Sequence, residues 1–322
     1  MELIERLRDG WSTISFPGFG IDGFEINSFA FGNVAWYGVI IAFGMLCAIA
    51  YAAFRCKQQG LKIDDLIDIA IFTIISGVVG ARAYYVIFDD DKSKYQTFID
   101  YIAIWRGGLA IYGGIIFGAL AIVIVCLVKK ISWRKLFDAV GPGVMIAQAI
   151  GRWGNFCNGE AYGSIVEEGH PLYFMRMGLI SKNTYYEFGT TQTVYVHPCF
   201  LYESLWNITG FILINLLFKK KKFDGQIALY YFAWYGFGRM FIEGLRTDAL
   251  FIGNTGIRVS QLLGFLLFMV ATALLVFGFV VTSKNEKKLA LATSAALDEE
   301  EYEEVEEESD SEEVVEDETE NG

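Results

Sequence analysis

The sequence predicts an all-α integral membrane protein with seven transmembrane helices, an outside N-terminus, a small external domain and a disordered acidic tail. Three observations predict it. The chain is 54% hydrophobic with a mean hydropathy of +0.38, above what a soluble domain carries. It holds seven apolar runs, each long enough for a hydrocarbon core of about 30 Å. Its basic residues recur on one side of the alternating loops.

Residues 1–32 mix aromatics with glycines and Pro17, and read as an interfacial arm rather than a span. The seven spans cover about 33–54, 66–88, 109–128, 136–156, 199–218, 226–244 and 260–281, within a catalytic domain of 33–284. Gly141-Pro142-Gly143 should loosen the fourth span. Residues 157–198 are polar and turn-rich, and suggest the external domain. The tail, 285–322, is low-complexity and acidic, and is expected to be disordered. No basic segment leads into an apolar core within the first 30 residues, so the first span is expected to be retained as an anchor.

Orientation follows from four loops. They carry Arg55, Lys57 and Lys62; Lys129, Lys130, Arg134 and Lys135; Lys219 to Lys222; and Lys284, Lys287 and Lys288. All fall on the same side of a seven-span alternation, which puts the C-terminus in the cytoplasm and 157–198 outside.

The net charge of -12 comes from the tail. Residues 298–320 hold 16 of the 38 acids and no base, leaving 22 acids against 26 bases elsewhere. The bases are spread over loops, which speaks against nucleic-acid binding. Five cysteines show no metal spacing, and the two histidines, His170 and His197, are too dispersed for a metal site. Cys157 and Cys199 share the predicted outer side, where a disulfide is conceivable, but free thiols are expected.

The chemistry concentrates in Gly151-Arg152-Trp153-Gly154-Asn155-Phe156-Cys157-Asn158-Gly159-Glu160-Ala161-Tyr162-Gly163. An arginine at mid-bilayer costs roughly 3 kcal/mol on insertion scales, so this density of polar groups points to function. Glycines admit close approach of backbone or ligand. A second group, Arg239, Glu243 and Arg246, is spaced to share one helix face. A third stretch sets Tyr112 between Gly107-Gly108 and Gly113-Gly114. Glu203 lies one turn inside the fifth span, where a carboxylate is costly unless paired. Arg82 could either snorkel outward or join an anion site. These groups gather at outer span ends, which suits a phospholipid headgroup better than the midplane site of a transporter.

The pattern Gly-Arg-x-Gly-Asn-Phe-x-Asn-x-Glu-x-x-Gly at 151–163 resembles the signature of bacterial prolipoprotein diacylglyceryl transferases. Gly107-Gly108 to Gly114, His197-Pro198-x-x-Leu201-Tyr202-Glu203 and Gly238-Arg239 to Glu243 and Arg246 agree with it. The resemblance covers about 30–285. It implies transfer of the diacylglyceryl group of phosphatidylglycerol to the lipobox cysteine of a prolipoprotein, with release of glycerol 1-phosphate. It implies a multi-pass protein of the bacterial inner membrane, acting at the outer leaflet with no cofactor or metal. On that resemblance Arg152 and Arg239 face the lipid phosphate, Asn155 and Glu160 support the site, Glu243 orients Arg239 or Arg246, and Tyr37 lines the lipid pocket. Asn158, Gly163, Gly113, Gly114, Glu203 and Arg246 complete the expected substrate contacts. Tyr112 stands where many members carry histidine. An ordinary tyrosine titrates near pH ~10, so a histidine-base mechanism does not transfer to it. Tyr112 is expected to hydrogen-bond the thiol or phosphate instead.

A strong base is not required. A thiol with a pKa of about 8.5 is already a few per cent thiolate at neutral pH, and nearby arginines raise that fraction. The competing readings are a transporter with an intramembrane Arg/Glu relay, an enzyme with Cys157 as nucleophile, and a lipid-binding scaffold.

Overall fold

A computed structural model of the chain describes residues 2–31, 34–253 and 255–320. The chain opens with α1 (Glu2–Arg8), β1 (Trp11–Phe16), β2 (Ile21–Asn27) and the short pair β3 (Phe29–Phe31) and β4 (Val34–Ala35). Then come α2 (Trp36–Gln58), α3 (Ile63–Phe88), the short α4 (Phe98–Ile102), α5 (Ile111–Val128) and α6 (Trp133–Cys157). β5 (Met177–Ile180), α7 (Lys182–Phe188) and β6 (Val194–Val196) precede α8 (Cys199–Phe218), α9 (Gln226–Ile242) and α10 (Val259–Glu320).

A long helix occupies each of the seven predicted spans. Five of them, α2, α3, α5, α8 and α10 over Val259–Ser294, are long and apolar enough to cross a membrane. α9 has only 17 residues, and α6 is diluted by Arg134, Lys135, Asp138, Gln148, Arg152 and Asn155. The chain divides into two compact units, Met1–Thr272 and Ala273–Gly322.

Within the first unit α6 packs against α2, α8 and α9, and α3 packs against α5. Small residues make these contacts. A Cβ on Gly143 would lie 2.8 Å from the Ala48 carbonyl oxygen, and one on Gly154 would lie 2.8 Å from the Tyr37 ring. The glycines of α6 thus seat it on α2. Pro142 lies inside α6, which runs on through it without a break, although its ring removes one intrahelical hydrogen bond. Trp206 of α8 and Trp234 of α9 stack with centroids 4.2 Å apart, and each indole N–H donates to the other's carbonyl at 3.0 Å.

Three expectations need correction. First, the protein is mostly helical rather than all-α. β2-β1-β5-β6 form an antiparallel sheet that joins the N-terminal arm to the 157–198 segment as one body. Burial in β1 alternates at the strand period of two, with Ser12, Ile14 and Phe16 inside. Ile14, Leu179 and Val196 form the fully buried centre of its core. Second, the last helix is longer than the seventh span, since α10 runs on to Glu320. No glycine or proline interrupts residues 279–320, and the Ala, Leu, Glu and Lys found there are strong helix formers. Third, α9 ends at Ile242 and a 3₁₀ turn follows over Glu243–Leu245, so Arg246 lies past the helix rather than on its face. Arg258 and Gln261 satisfy the freed carbonyls: Arg258 donates to that of Glu243, and Gln261 to that of Met240 at 2.9 Å.

Candidate active site

Glu203 is the hub. It sits one turn into α8 and is 5% exposed. Three arginines from different elements converge on it. Arg152, near the end of α6, places Nη2 2.7 Å from Oε2. Arg239, in the last turn of α9, donates through Nη1 to both carboxylate oxygens at 3.1 Å. Arg246 places Nη1 3.4 Å from Oε1. The carboxylate that sequence marked as costly unless paired is therefore paired three times.

Two more carboxylates complete the cluster. Glu243 pairs with Arg239 one turn back, as the i,i+4 spacing predicts. Asp248 takes a bidentate grip on Arg246, with Nε to Oδ1 at 2.9 Å and Nη2 to Oδ2 at 2.7 Å. Burial acts to raise the Asp248 carboxyl, but the hydrogen bonds and charge of Arg246 hold it below the usual carboxylate range. Three guanidinium groups thus face three carboxylates in formal balance.

The α6 terminus adds amides. Arg152 Nη1 donates to Asn155 Oδ1 at 3.4 Å. The Asn155 and Asn158 amides both donate to Glu160 Oε1, at 3.1 and 3.0 Å. Arg152 is the most open of the arginines, with 21% of its side chain exposed against 14% and 12% for Arg239 and Arg246. It is therefore the most accessible of the three to an incoming anion.

An apolar cavity of about 270 Å³ opens beside the cluster. Ile40 of α2, Ile146 and Trp153 of α6, and Ser204 and Ile208 of α8 line it. Trp153 follows Arg152 and Ser204 follows Glu203, so the charged cluster and the cavity share two chain segments. The Trp153 indole donates to Ser204 Oγ at 3.3 Å, and that hydroxyl donates to the Ala149 carbonyl at 3.0 Å. A charged head beside an apolar pocket is the arrangement an anionic lipid requires.

A family model described as prolipoprotein diacylglyceryl transferase matches residues 26–277, a stretch that contains the whole arginine cluster. The chain belongs to the prolipoprotein diacylglyceryl transferase family. Relatives named phosphatidylglycerol–prolipoprotein diacylglyceryl transferase agree. One from Clostridium kluyveri is 40% identical over 263 residues, covering 80% of this chain and 94% of that protein. One from Listeria welshimeri is 41% identical over 250 residues, covering 76% and 86%. One from Streptococcus agalactiae is 41% identical over 248 residues, covering 76% and 91%.

Other residues named from sequence fall outside the cluster. Tyr112 stands at the start of α5 with its ring 6.4 Å from that of Tyr84 on α3, and no hydrogen bond joins it to the arginines among the described residues. Gly113 is a packing residue: a Cβ there would lie 2.2 Å from the Gly80 carbonyl oxygen. Gly114 faces Gly77 and Ala81 in the same helix contact. Gly163 is wedged between His197, Cys199 and the Leu245 carbonyl, and its N–H donates to the His197 carbonyl at 2.9 Å. All three glycines set the distance between neighbouring backbones. Tyr37 packs on Gly154 at the start of α2 and is 38% exposed, next to the α6 segment that carries Arg152.

Arg82 does neither of the things its sequence suggested. It is buried and donates to the carbonyls of Asp100, Tyr101, Gly107 and Gly108, at 2.6 to 3.0 Å. It pins the loop between α4 and α5. Cys157 and Cys199 are both free and buried, and among the described residues Cys157 makes no hydrogen bond to a histidine or carboxylate. His170 is exposed, with its ring 4.9 Å from that of buried His197. Burial and the neighbouring His170 both lower the His197 pKa, which favours its neutral form.

Sequence reasoning missed Asp248 and Ser204. Asp248 carried a usable signal: it lies two residues past Arg246 in a polar loop, where a short carboxylate can close on the arginine. Ser204 carried none, because a serine inside an apolar run is ordinary.

Proposed function

We propose that this chain transfers the diacylglyceryl group of phosphatidylglycerol to the lipobox cysteine of a prolipoprotein at the outer leaflet of the bacterial inner membrane. Family membership and the names of its relatives support the reaction. The observation that carries the site is the convergence of Arg152, Arg239 and Arg246 on buried Glu203, directly beside an apolar cavity. In this reading all seven long helices span the membrane, with α6 and α9 shielded by their neighbours and the sheet-bearing body outside.

The chemistry follows from the charges. The cysteine thiolate attacks the glycerol carbon that bears the phosphate. The carbon–sulfur bond forms as the carbon–oxygen bond breaks, and glycerol 1-phosphate leaves with the electron pair. The thiol proton passes to the departing phosphate or to solvent, so no cofactor is consumed. Negative charge grows on the phosphate oxygens, and the guanidinium N–H groups of Arg152 and Arg239 stabilise it. Glu203 and Glu243 hold those arginines in place before lipid arrives, so little reorganisation accompanies the reaction. The acyl chains occupy the apolar cavity and the bilayer beside it. Tyr112, which stands off the arginine cluster, would hydrogen-bond substrate once bound.

The test uses purified protein, phosphatidylglycerol and a lipobox peptide, with mass spectrometry of the peptide. Arg152→Ala and Arg239→Ala should each lower transfer by about a hundredfold or more, the scale of losing one oriented charge-stabilising group. Near-normal transfer by both variants would reject the assignment.

A further inference from the structure

A second opening adjoins the arginine cluster where Glu160 and Asp248 lie. It is a cleft of about 420 Å³ between the loop that follows the α6 terminus, α7 and the loop after α9. Asn183, Tyr186 and Glu187 of α7 form one wall, and Thr247 and Asp248 form the opposite one. Glu160 and Asp248 belong both to this cleft and to the cluster: Glu160 accepts from Asn155 and Asn158, and Asp248 holds Arg246. The cleft therefore begins where the reacting centre ends.

Its lining contrasts with that of the cavity beside Trp153. Glu187 accepts from the Tyr162 hydroxyl at 2.6 Å and faces the Thr247 hydroxyl at 3.5 Å. Among the described residues, Glu160 is held by amides alone. Neither carboxylate has a cation within ion-pair distance among the described residues, whereas Asp248 is neutralised by Arg246. The exposed Tyr186 ring and the Asn183 amide add a flat face and a polar edge. A surface of this kind takes backbone N–H groups and cations, and disfavours acids.

We propose that this cleft binds the stretch of prolipoprotein that follows the modified cysteine, and that Glu187 and Glu160 set a preference for basic over acidic residues there. The inference rests on the transferase reading. A thiol presented inside a polypeptide carries chain on both sides. The apolar side stays with the bilayer, so the polar side must leave through the extramembrane body. This cleft shares its residues with the cluster and is of a size to hold several residues. It would repel the departing glycerol phosphate, which separates the exit of that product from the path of the peptide.

The experiment compares two lipobox peptides in the purified full-length protein with phosphatidylglycerol. They are identical except for two lysines or two glutamates in the positions just after the cysteine. The lysine peptide should have a kcat/KM higher by about fivefold, the scale of a screened charge contact of ~1 kcal/mol, and 0.5 M salt should shrink the ratio toward one. Glu187→Gln should reduce the ratio and Glu187→Lys should reverse it. A general loss of structure would slow both peptides alike and leave the ratio unchanged, so the ratio is the readout. Equal rates for the two peptides in the unaltered protein would overturn the proposal, as would a ratio indifferent to salt and to Glu187. Failure to modify either peptide would instead overturn the transferase reading itself.

Discussion

At the scale of single residues, Glu203 carries the heaviest demand. Removing its charge leaves three guanidinium groups facing one another in a largely buried site. Breaking one side of a buried ion pair costs about 3–5 kcal/mol. Glu203→Gln should therefore lower thermal stability in detergent by several degrees and reduce transfer together with it. A variant of unchanged stability with only a raised KM would mean that Glu203 contacts lipid and does not organise the arginines. Asp248 gives a pH test. Its pKa is depressed in the folded chain, so the pair with Arg246 contributes its full stability above the unfolded value of about 3.9 and loses it as pH falls toward the folded value. Stability measured from pH 6 to pH 3 should fall more steeply in the native chain than in Asp248→Asn.

At the scale of elements, the helix contacts that aim the arginines depend on absent side chains. A Cβ on Gly238 would lie 2.1 Å from the Trp206 indole nitrogen, and one on Gly210 would lie 2.3 Å from that of Trp234. Gly238 immediately precedes Arg239, so the tryptophan stack and the arginine share one backbone position. Gly238→Ala must displace the indole, at about 1–3 kcal/mol for an overpacked contact. Its near-ultraviolet circular dichroism should weaken along with activity; an unchanged spectrum with full activity would show that the stack can yield. Gly113 gives a parallel case where α5 packs on α3. Gly113→Ala meets a backbone carbonyl, so it should lower melting temperature in addition to turnover, whereas a glycine needed only by substrate would leave melting temperature alone.

At the scale of the whole molecule, the proposed orientation puts the sheet-bearing body of the first unit outside the membrane. Within the first unit, the eleven bases of the three loops after α2, α5 and α8 and the body built on the β2-β1-β5-β6 sheet lie at opposite ends of the long helices by chain order. Gln192→Cys, next to β6, should react with a membrane-impermeant maleimide in intact cells, and Lys220→Cys only after lysis. The native cysteines give little background, since Cys56, Cys126, Cys157 and Cys199 are buried and Cys47 is partly so. Labelling of only Lys220→Cys in intact cells would invert the orientation, and labelling of both would reject their placement on opposite sides.

The sequence by itself determined the seven long helices, because apolar runs and their charged ends are local signals. It also determined most of the cluster: Arg152, Asn155 and Glu160 lie within nine residues, Arg239 and Glu243 are one turn apart, and burying such groups is costly enough to mark them. Only the tertiary structure decided who faces whom. Glu203 could be named as needing a partner, but which arginines supply it depends on how α6, α8 and α9 cross. Gly113, Gly114 and Gly163 looked the same in sequence whether they touch a ligand or a neighbouring backbone. The pairing of β1 with β5 joins segments more than 150 residues apart, and no local periodicity encodes a non-local hydrogen bond.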